Sequence, residues 1–399
     1  MKVVILAGGS GENLAPFTAT RPKGMMAFCG KYILETTLEL LKEIGLNEVY
    51  IIVCHQKQRI MEYFQNGHNF GTHLHYLHQE GPRGIGDALY TAKDKIMPGE
   101  YFLLIYGDIL TFANIFSHTL QTFRTSKGPV AAIYLPPSSL PYGNVYLNNE
   151  MQITKFVEKP KEGLAGNYVL AGVYVLPSAI FSLLEESNKS MELALNRLIT
   201  EIGMQASIWE GDWIDIGYPW EILSANKLIM DTWPQAAMDK SVIFRGDVRL
   251  EGPVRIEEGV VIESGTVLKG PCYIGSGSFI GNNVLVREYT SIGRNTQIGF
   301  GVELKNCVIF GRCKVGRLSF VGDSVVGEGA YLGSGTVTVN FNLDDTPIKV
   351  SLNQHFHETG LKKLGAFIGD HARIGASHTL PAGTVIKSGE IILPNYSLV

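Results

Sequence analysis

An aliphatic run, Val3 to Leu6, enters Ala7-Gly8-Gly9-Ser10-Gly11 near the start of the chain. A buried parallel strand that ends in glycines can bring backbone N–H groups up to an anion, because a residue without a Cβ lets the chain turn sharply and approach closely. A loop built for a triphosphate usually sets a cation just past its glycines. Here Glu12 and Asn13 follow, the first cation is Arg21, and Lys23 stands behind Pro22. Gln79 precedes GPRGIGDAL (81–89), whose Gly84 and Gly86 would let a base or ribose reach the backbone. Asp108 closes the apolar run YFLLIYGD, Tyr142-Gly143 lies in a turn, Glu158-Lys159-Pro160 follows an amphipathic strand, and Asp215 sits in GDWIDIGYPW. Two separated aspartates converging on a phosphate site suit Mg²⁺, which takes a few carboxylate oxygens and fills its shell with phosphate and water.

The elements that would position these residues read as alternating strands and helices up to about residue 228. Apolar runs at 3–7, 49–54, 101–106, 130–135 and 172–176 are expected strands. ILETTLELLKEIG (33–45) has helical spacing and a terminal glycine, Gly45. This alternation predicts a Rossmann-like α/β domain with a mostly parallel sheet, whose ligands bind beyond the C-terminal ends of the strands. From about 244 the period changes. Aliphatic residues recur every six positions from Leu250 to Leu304 and again from Ile368 to Ile392, several followed by glycine. That is the hexapeptide beat of an all-β left-handed parallel β-helix. The expected organisation is 1–229 α/β, 230–243 linker and 244–399 β-helix, with 340–364 an extruded loop.

Composition narrows the function classes. The chain has 399 residues and a net charge of −4, so no basic footprint for nucleic acid is present. No apolar stretch is long enough for a membrane span. Met1 leads straight into the first strand and the five cysteines are scattered, which together predict a cytoplasmic protein with reduced thiols. His73 and His75 would share one face of a strand, but no carboxylate or cysteine pattern joins them and His78. They are read as a solvated strand face, and His355 and His357 as surface residues of the extruded loop. Trp213 and Trp220, flanking Asp215, are read as packing.

The order L-A-G-G-x-G, P-x-T-x-x-x-P-K, Q…G-x-G-x-A-L, G-D, E-K-P and W-x-D-I-G resembles the sugar-1-phosphate nucleotidylyltransferases. With the β-helix behind it, the whole chain resembles their two-domain branch, which includes archaeal bifunctional nucleotidylyl/acetyltransferases. The resemblance implies in-line attack of a sugar 1-phosphate on the α-phosphorus of an NTP, UTP or dTTP being expected, with pyrophosphate leaving. It implies that Leu6, Gly8, Gly9, Gln79 and Gly84 meet the nucleotide, and that Lys23 neutralises phosphate charge. Asp108 and Asp215 would hold Mg²⁺, while Gly143, Glu158 and Lys159 would face the sugar phosphate. It also implies a homo-oligomer, a trimer or dimer of trimers.

Three departures qualify that reading. Asn13 stands where the family has an arginine on the triphosphate; losing one such donor costs about 10²–10³ in rate. Leu170 replaces a sugar-binding asparagine. In the β-helix, Arg317 and Phe320 replace a histidine base and a tyrosine, and arginine stays protonated, although Asn340, Lys349 and His371 match as acyl-site remnants. The expectation is an Mg²⁺-dependent nucleotidylyltransferase with a degenerate acetyltransferase domain. The alternatives are a regulatory paralogue that binds nucleotide sugar and pairs with an active enzyme, and an acyltransferase using acetyl-CoA.

Overall fold

The apolar runs do become strands, and their order explains where the candidate residues lie. The computed structural model describes residues 1–136, 142–158, 166 and 168–394. Strand β1 (Val3–Leu6) leads to α1 (Ile33–Glu43), β2 (Glu48–Val53), α2 (Lys57–Phe64), β3 (His73–His78) and α3 (Ile85–Tyr90). Then come β4 (Tyr101–Tyr106), β5 (Ile109–Leu110), α4 (Ile115–Ser126), β6 (Val130–Tyr134), β7 (Asn144–Leu147), β8 (Ile153–Val157) and β9 (Tyr168–Pro177). The α/β part ends with α5 (Ile180–Glu186), α6 (Met191–Glu201), β10 (Gln205–Trp209) and β11 (Ile214–Asp215).

Helix α1 buries Ile33, Leu34, Leu38 and Leu41. It stops where Gly45 takes φ +73°. The Gly45 N–H then donates to the Lys42 carbonyl and the Leu46 N–H to that of Leu41, both at 3.0 Å. A glycine enters that left-handed conformation without the Cβ penalty. The central sheet runs β8-β7-β9-β4-β1-β2-β3, with β6 and β10 on a branch from β9. β4, β1, β2 and β3 are mutually parallel. The run at 172–176 belongs to β9, which pairs antiparallel with both β4 and β6, so the sheet is mixed on that side. Its two faces carry separate buried clusters of aliphatic residues.

Contacts divide the chain into two compact units, Met1–Ser10, Arg21–Met26 and Tyr32–Asp215 forming the first. Gly11–Thr20, Ala27–Lys31 and Ile216–Val399 form the second. Helix α7 (Glu221–Asp231), inside the 1–229 span read as α/β, therefore belongs to the second unit. The reason is its apolar end: Met230 and neighbouring Trp233 pack on Tyr273, and Asn226 Nδ2 donates to the Tyr289 carbonyl at 2.8 Å.

After α7 the second unit builds a left-handed β-helix, three parallel sheets of eight, eight and seven strands. Nearly every residue of the hexapeptide beat is buried in one core, including Ile262, Ile280, Ile298 and Ile374. Buried hydroxyls serve its corners; Thr266 Oγ1 donates to the Gly281 carbonyl at 2.8 Å and Ser278 Oγ to that of Gly293 at 3.1 Å. The segment read as an extruded loop contains an antiparallel hairpin, Lys349–Leu352 with His355–Glu358. No helix is long and apolar enough to cross a membrane among the described residues.

Candidate active site

The site grows from the ends of two neighbouring strands. Beyond β1, the Ala7 N–H donates to the Ile52 carbonyl at 2.9 Å, and beyond β4 the Gly107 N–H donates to that of Leu6 at 2.9 Å. Gly107 has no room for a side chain, since a Cβ would stand 2.8 Å from the Leu6 carbonyl. Asp108 follows at once. Strand β5, immediately after it, pairs antiparallel with β11, and the register sets Asp215 opposite Ile109. Two carboxylates that are 107 positions apart in the chain are thus carried to a strand pair, Asp215 on β11 and Asp108 in the turn that enters β5. Lys23 Nζ donates to Asp108 Oδ2 at 3.1 Å. It stands on a short turn, Lys23–Met25, in which a Cβ at Gly24 would lie 2.9 Å from the Gly107 carbonyl. Glycine is needed at both places so that the lysine turn can press against the strand end.

The field at this strand end is negative. Desolvation pushes the Tyr106 phenol upward, and the carboxylates of Glu158, Asp108 and Asp215 push it further in the same direction. The Tyr106 phenol thus feels Asp108, Asp215 and also Glu158. Gly143 adjoins it, because a Cβ there would sit 2.9 Å from Glu158 Oε2 and collide with the Phe156 ring. The Leu170 N–H donates to the Gly143 carbonyl at 2.9 Å, so three sugar-side positions of the sequence reading cluster. Lys159 lies outside the described residues. Trp213 packs on Tyr134 and Tyr142 and donates its indole N–H to the Ala171 carbonyl at 3.0 Å.

On the other side of β1, Gly8 is packed against Cys54 and Gln79; a Cβ on it would be 3.3 Å from Gln79 Oε1. Gly9 has open space where a side chain would stand, and Gly84 is exposed. Gln79 Nε2 donates to Asp87 Oδ2 at 3.0 Å and to the Gly84 carbonyl at 3.3 Å. Lys189 Nζ donates to Asp87 Oδ1 at 2.6 Å. Asp87, inside GPRGIGDAL, and Lys189 are not among the residues expected from the sequence. A carboxylate directly after the second glycine was a usable signal; a lysine 102 residues away was not.

The continuation of the glycine loop is held in the second unit. Gly11 takes φ +63°, and its carbonyl accepts from Thr18 Oγ1 at 2.7 Å. Phe17 meets Phe310 edge-on at 5.4 Å, Ser388 Oγ donates to the Pro16 carbonyl at 2.8 Å, and Thr20 Oγ1 donates to Asp370. Asn353, at the hairpin tip, donates to the Glu12 carbonyl at 3.1 Å. Asn13 itself is exposed.

In the β-helix the expected acyl positions have these surroundings. Arg317 is exposed and Phe320 half-buried. Asn340 is buried, with Nδ2 donating to Asp323 Oδ2 at 2.5 Å. Lys349 forms an ion pair with Glu358 across the hairpin at 2.6 Å. His371 is exposed, with φ +58°. Elsewhere, His73, His75 and His78 are exposed on β3, where His75 contacts Glu48 at 2.9 Å and stacks on Tyr50. Among the described residues no group of three or more His, Cys, Asp or Glu side chains is placed to hold a metal ion.

The chain thus joins an α/β sheet, with glycine turns and aspartates at its strand ends, to a hexapeptide β-helix. Residues 2–232 match the Nucleotidyl transferase family and residues 268–395 the GMPPB C-terminal domain, so the chain belongs to the nucleotidyl transferase family. It is 36% identical over 97% of its length to the bifunctional protein GlmU of Methanocaldococcus jannaschii, spanning 92% of that protein. It is 35% identical over 99% of its length to a bifunctional sugar-1-phosphate nucleotidylyltransferase/acetyltransferase of Sulfurisphaera tokodaii, spanning 96% of it. Among solved structures, a UDP-glucose pyrophosphorylase from Acinetobacter baumanii shares the fold of the first part, with a TM-score of 0.51 at 22% identity over 58% of this chain and 94% of that one.

Proposed function

We propose that this chain joins a nucleoside monophosphate, from UTP or dTTP, to a sugar 1-phosphate. An oxygen of the sugar phosphate attacks the α-phosphorus, the bond from that phosphorus to the bridging oxygen of the β-phosphate breaks, and pyrophosphate leaves. The observation that supports this reading is the Lys23–Asp108 ion pair beyond β4, with Asp215 on the strand that pairs with β5 and the glycine turn beyond neighbouring β1. Charge neutralisation and positioning are the main contributions a protein can make to such a displacement.

Mg²⁺ is part of the proposal, and the donor set fits it. Asp108 and Asp215 offer hard carboxylate oxygens, and Asp108 already accepts from one cation, Lys23. Bound there, the ion would supply Lewis-acid polarisation of the phosphates. The protein's own residues do the rest. Gly8 and Gly9 let the backbone approach the nucleotide, and Lys23, beside Asp108, would meet the negative charge of a phosphate. Gly143 and Glu158 line the sugar side, where Leu170 offers only an apolar side chain. We read the acyl site as degenerate and the β-helix as an assembly element, with a trimer as its expected state.

The test is pyrophosphate release across a panel of NTPs and sugar 1-phosphates, with Mg²⁺ and with EDTA. Metal-dependent turnover that Asp108→Ala abolishes supports the reading. A second reading, a regulatory paralogue, rests on exposed Asn13 in the triphosphate loop. Silence in the wild type together with tight binding of a nucleotide sugar would favour it.

A further inference from the structure

Gln79 is nearly buried, and both groups that its amide nitrogen reaches, the Gly84 carbonyl and the Asp87 carboxylate, can only accept. The amide can therefore face them only with its NH₂. Its oxygen is turned the other way, toward Gly8 at the end of β1. An acceptor is thus fixed at the edge of the pocket in which the nucleotide is proposed to lie.

What fixes it is a chain of contacts reaching away from the pocket. Asp87 is buried, and its second oxygen takes Lys189 Nζ at 2.6 Å. Lys189 comes from the turn between α5 and α6, where its own N–H donates to the Leu184 carbonyl at 2.6 Å. Its ammonium also lies 4.8 Å from the centre of the Tyr90 ring. The turn presses on α3 at Gly86, where any side chain would collide with the Lys189 carbonyl. Asp87 is held ionised by the lysine's hydrogen bond, which lowers its pKa, and an ionised carboxylate has no hydrogen to offer Gln79.

We propose that Lys189 and Asp87 form a positioning pair that locks the Gln79 amide with its oxygen toward the base. Set opposite the ring nitrogen of the base, that oxygen accepts from the N–H of uracil, thymine or guanine but meets a lone pair in cytosine or adenine, whose exocyclic amine it reaches only if the base shifts, so the site favours the first group. The proposal rests on the nucleotidyl-transfer reading and deepens it. A polar site left facing a like partner discriminates strongly, because neither group can be satisfied.

The experiment measures binding of UTP, GTP, CTP and ATP to the full chain by calorimetry, beside pyrophosphate-release kinetics for any productive pair. The wild type is expected to bind UTP at least about a hundredfold tighter than CTP. Asp87→Asn can both donate and accept, so the glutamine is freed to turn. The UTP:CTP ratio should fall at least tenfold, mainly through Kd and KM. Lys189→Met, at a half-exposed position, should lower the ratio by a smaller factor, and Lys189→Arg should restore it. A ratio unchanged in folded Asp87→Asn and Lys189→Met overturns the pair's role. Wild-type preference for CTP or ATP overturns the inference while leaving nucleotidyl transfer standing. Absence of binding by every triphosphate overturns both.

Discussion

Asp108 and Asp323 are both carboxylates beside short strands, and their surroundings differ in kind. Asp108, at a strand end of the α/β unit, is part-exposed and accepts from Lys23 at 3.1 Å. Asp323, in the β-helix, is 3% exposed and is saturated by Lys305 Nζ at 3.0 Å, Asn306 Nδ2 at 2.8 Å and Asn340 Nδ2 at 2.5 Å. A solenoid stacks each coil on the next, and here the buried charge is satisfied by neighbouring coils. An open sheet end has no next element, and its polar groups remain available to a ligand. The same side chain is thereby structural in one unit and a candidate for chemistry in the other.

The comparison is broken most severely at Asp108. Asp108→Asn keeps the shape and removes the charge, so turnover should fall by about 10³ or more with little change in Tm. A variant that keeps its rate would mean that the strand end is not where phosphate charge is met. Next in size is Asn13→Arg. If the loop position faces the triphosphate, restoring a charged fork should raise kcat/KM by about 10². An unchanged rate would mean that the exposed loop never reaches the nucleotide.

What was legible in the sequence follows the same division. The hexapeptide beat was readable because each inward residue repeats one environment. It fails at Leu250, 42% exposed, which belongs to the first coil and has no coil beneath it. It was also lost between Leu304 and Ile368, where strands nonetheless continue through Ile309, Val315, Val321, Val326 and Leu332. There the coils are one residue shorter. Cys272 pairs with Thr290, eighteen residues on, whereas Ser291 pairs with Val308, seventeen on. Trimming a corner moves the beat without disturbing the stack, so strict counting overlooks it. In the α/β unit the glycines and aspartates were readable because each needs a particular residue type. The Lys189–Asp87–Gln79 chain was not, because it joins groups by folding alone. Nor did any residue pattern show that Gly11–Thr20 would pack with the β-helix, since Phe17 finds Phe310 only in the folded unit.

On the structural side of the comparison, Asn340→Ala should cost stability. It removes one of the donors to a buried carboxylate, a loss of about 1–3 kcal/mol. Lys305 and Asn306 remain, which keeps the loss below that of stripping the charge of all its partners. For a unit of this size the β-helix transition should drop by about 3–10 °C in calorimetry. An unshifted transition would mean that water replaces the amide, and that Asp323 is less closed than its contacts imply. Asn340→Asp should be worse, because it sets a second carboxylate against the first.

The smallest expected effect sharpens the comparison inside the α/β unit, where Asp87 is a carboxylate that has been closed like Asp323. Its pKa is lowered chiefly by the hydrogen bond from Lys189, with burial opposing and with Gln79 and the charge of Arg83 assisting. A folded-state pKa below the unfolded one means that the unfolded chain binds the proton more readily, so the contribution to stability is complete above the ordinary aspartate value of about 3.9. It is lost as pH falls through the lower folded value. Melting curves of the wild type and Asp87→Asn from pH 7 to pH 3 should therefore keep a constant separation down to about pH 4 and converge below it. Added salt should narrow the gap at neutral pH, because Lys189 is 40% exposed and its charge is partly screened. A separation that grew toward acid would put the carboxylate's ionised form at a disadvantage in the folded chain, and would leave the Gln79 amide without the acceptor that orients it.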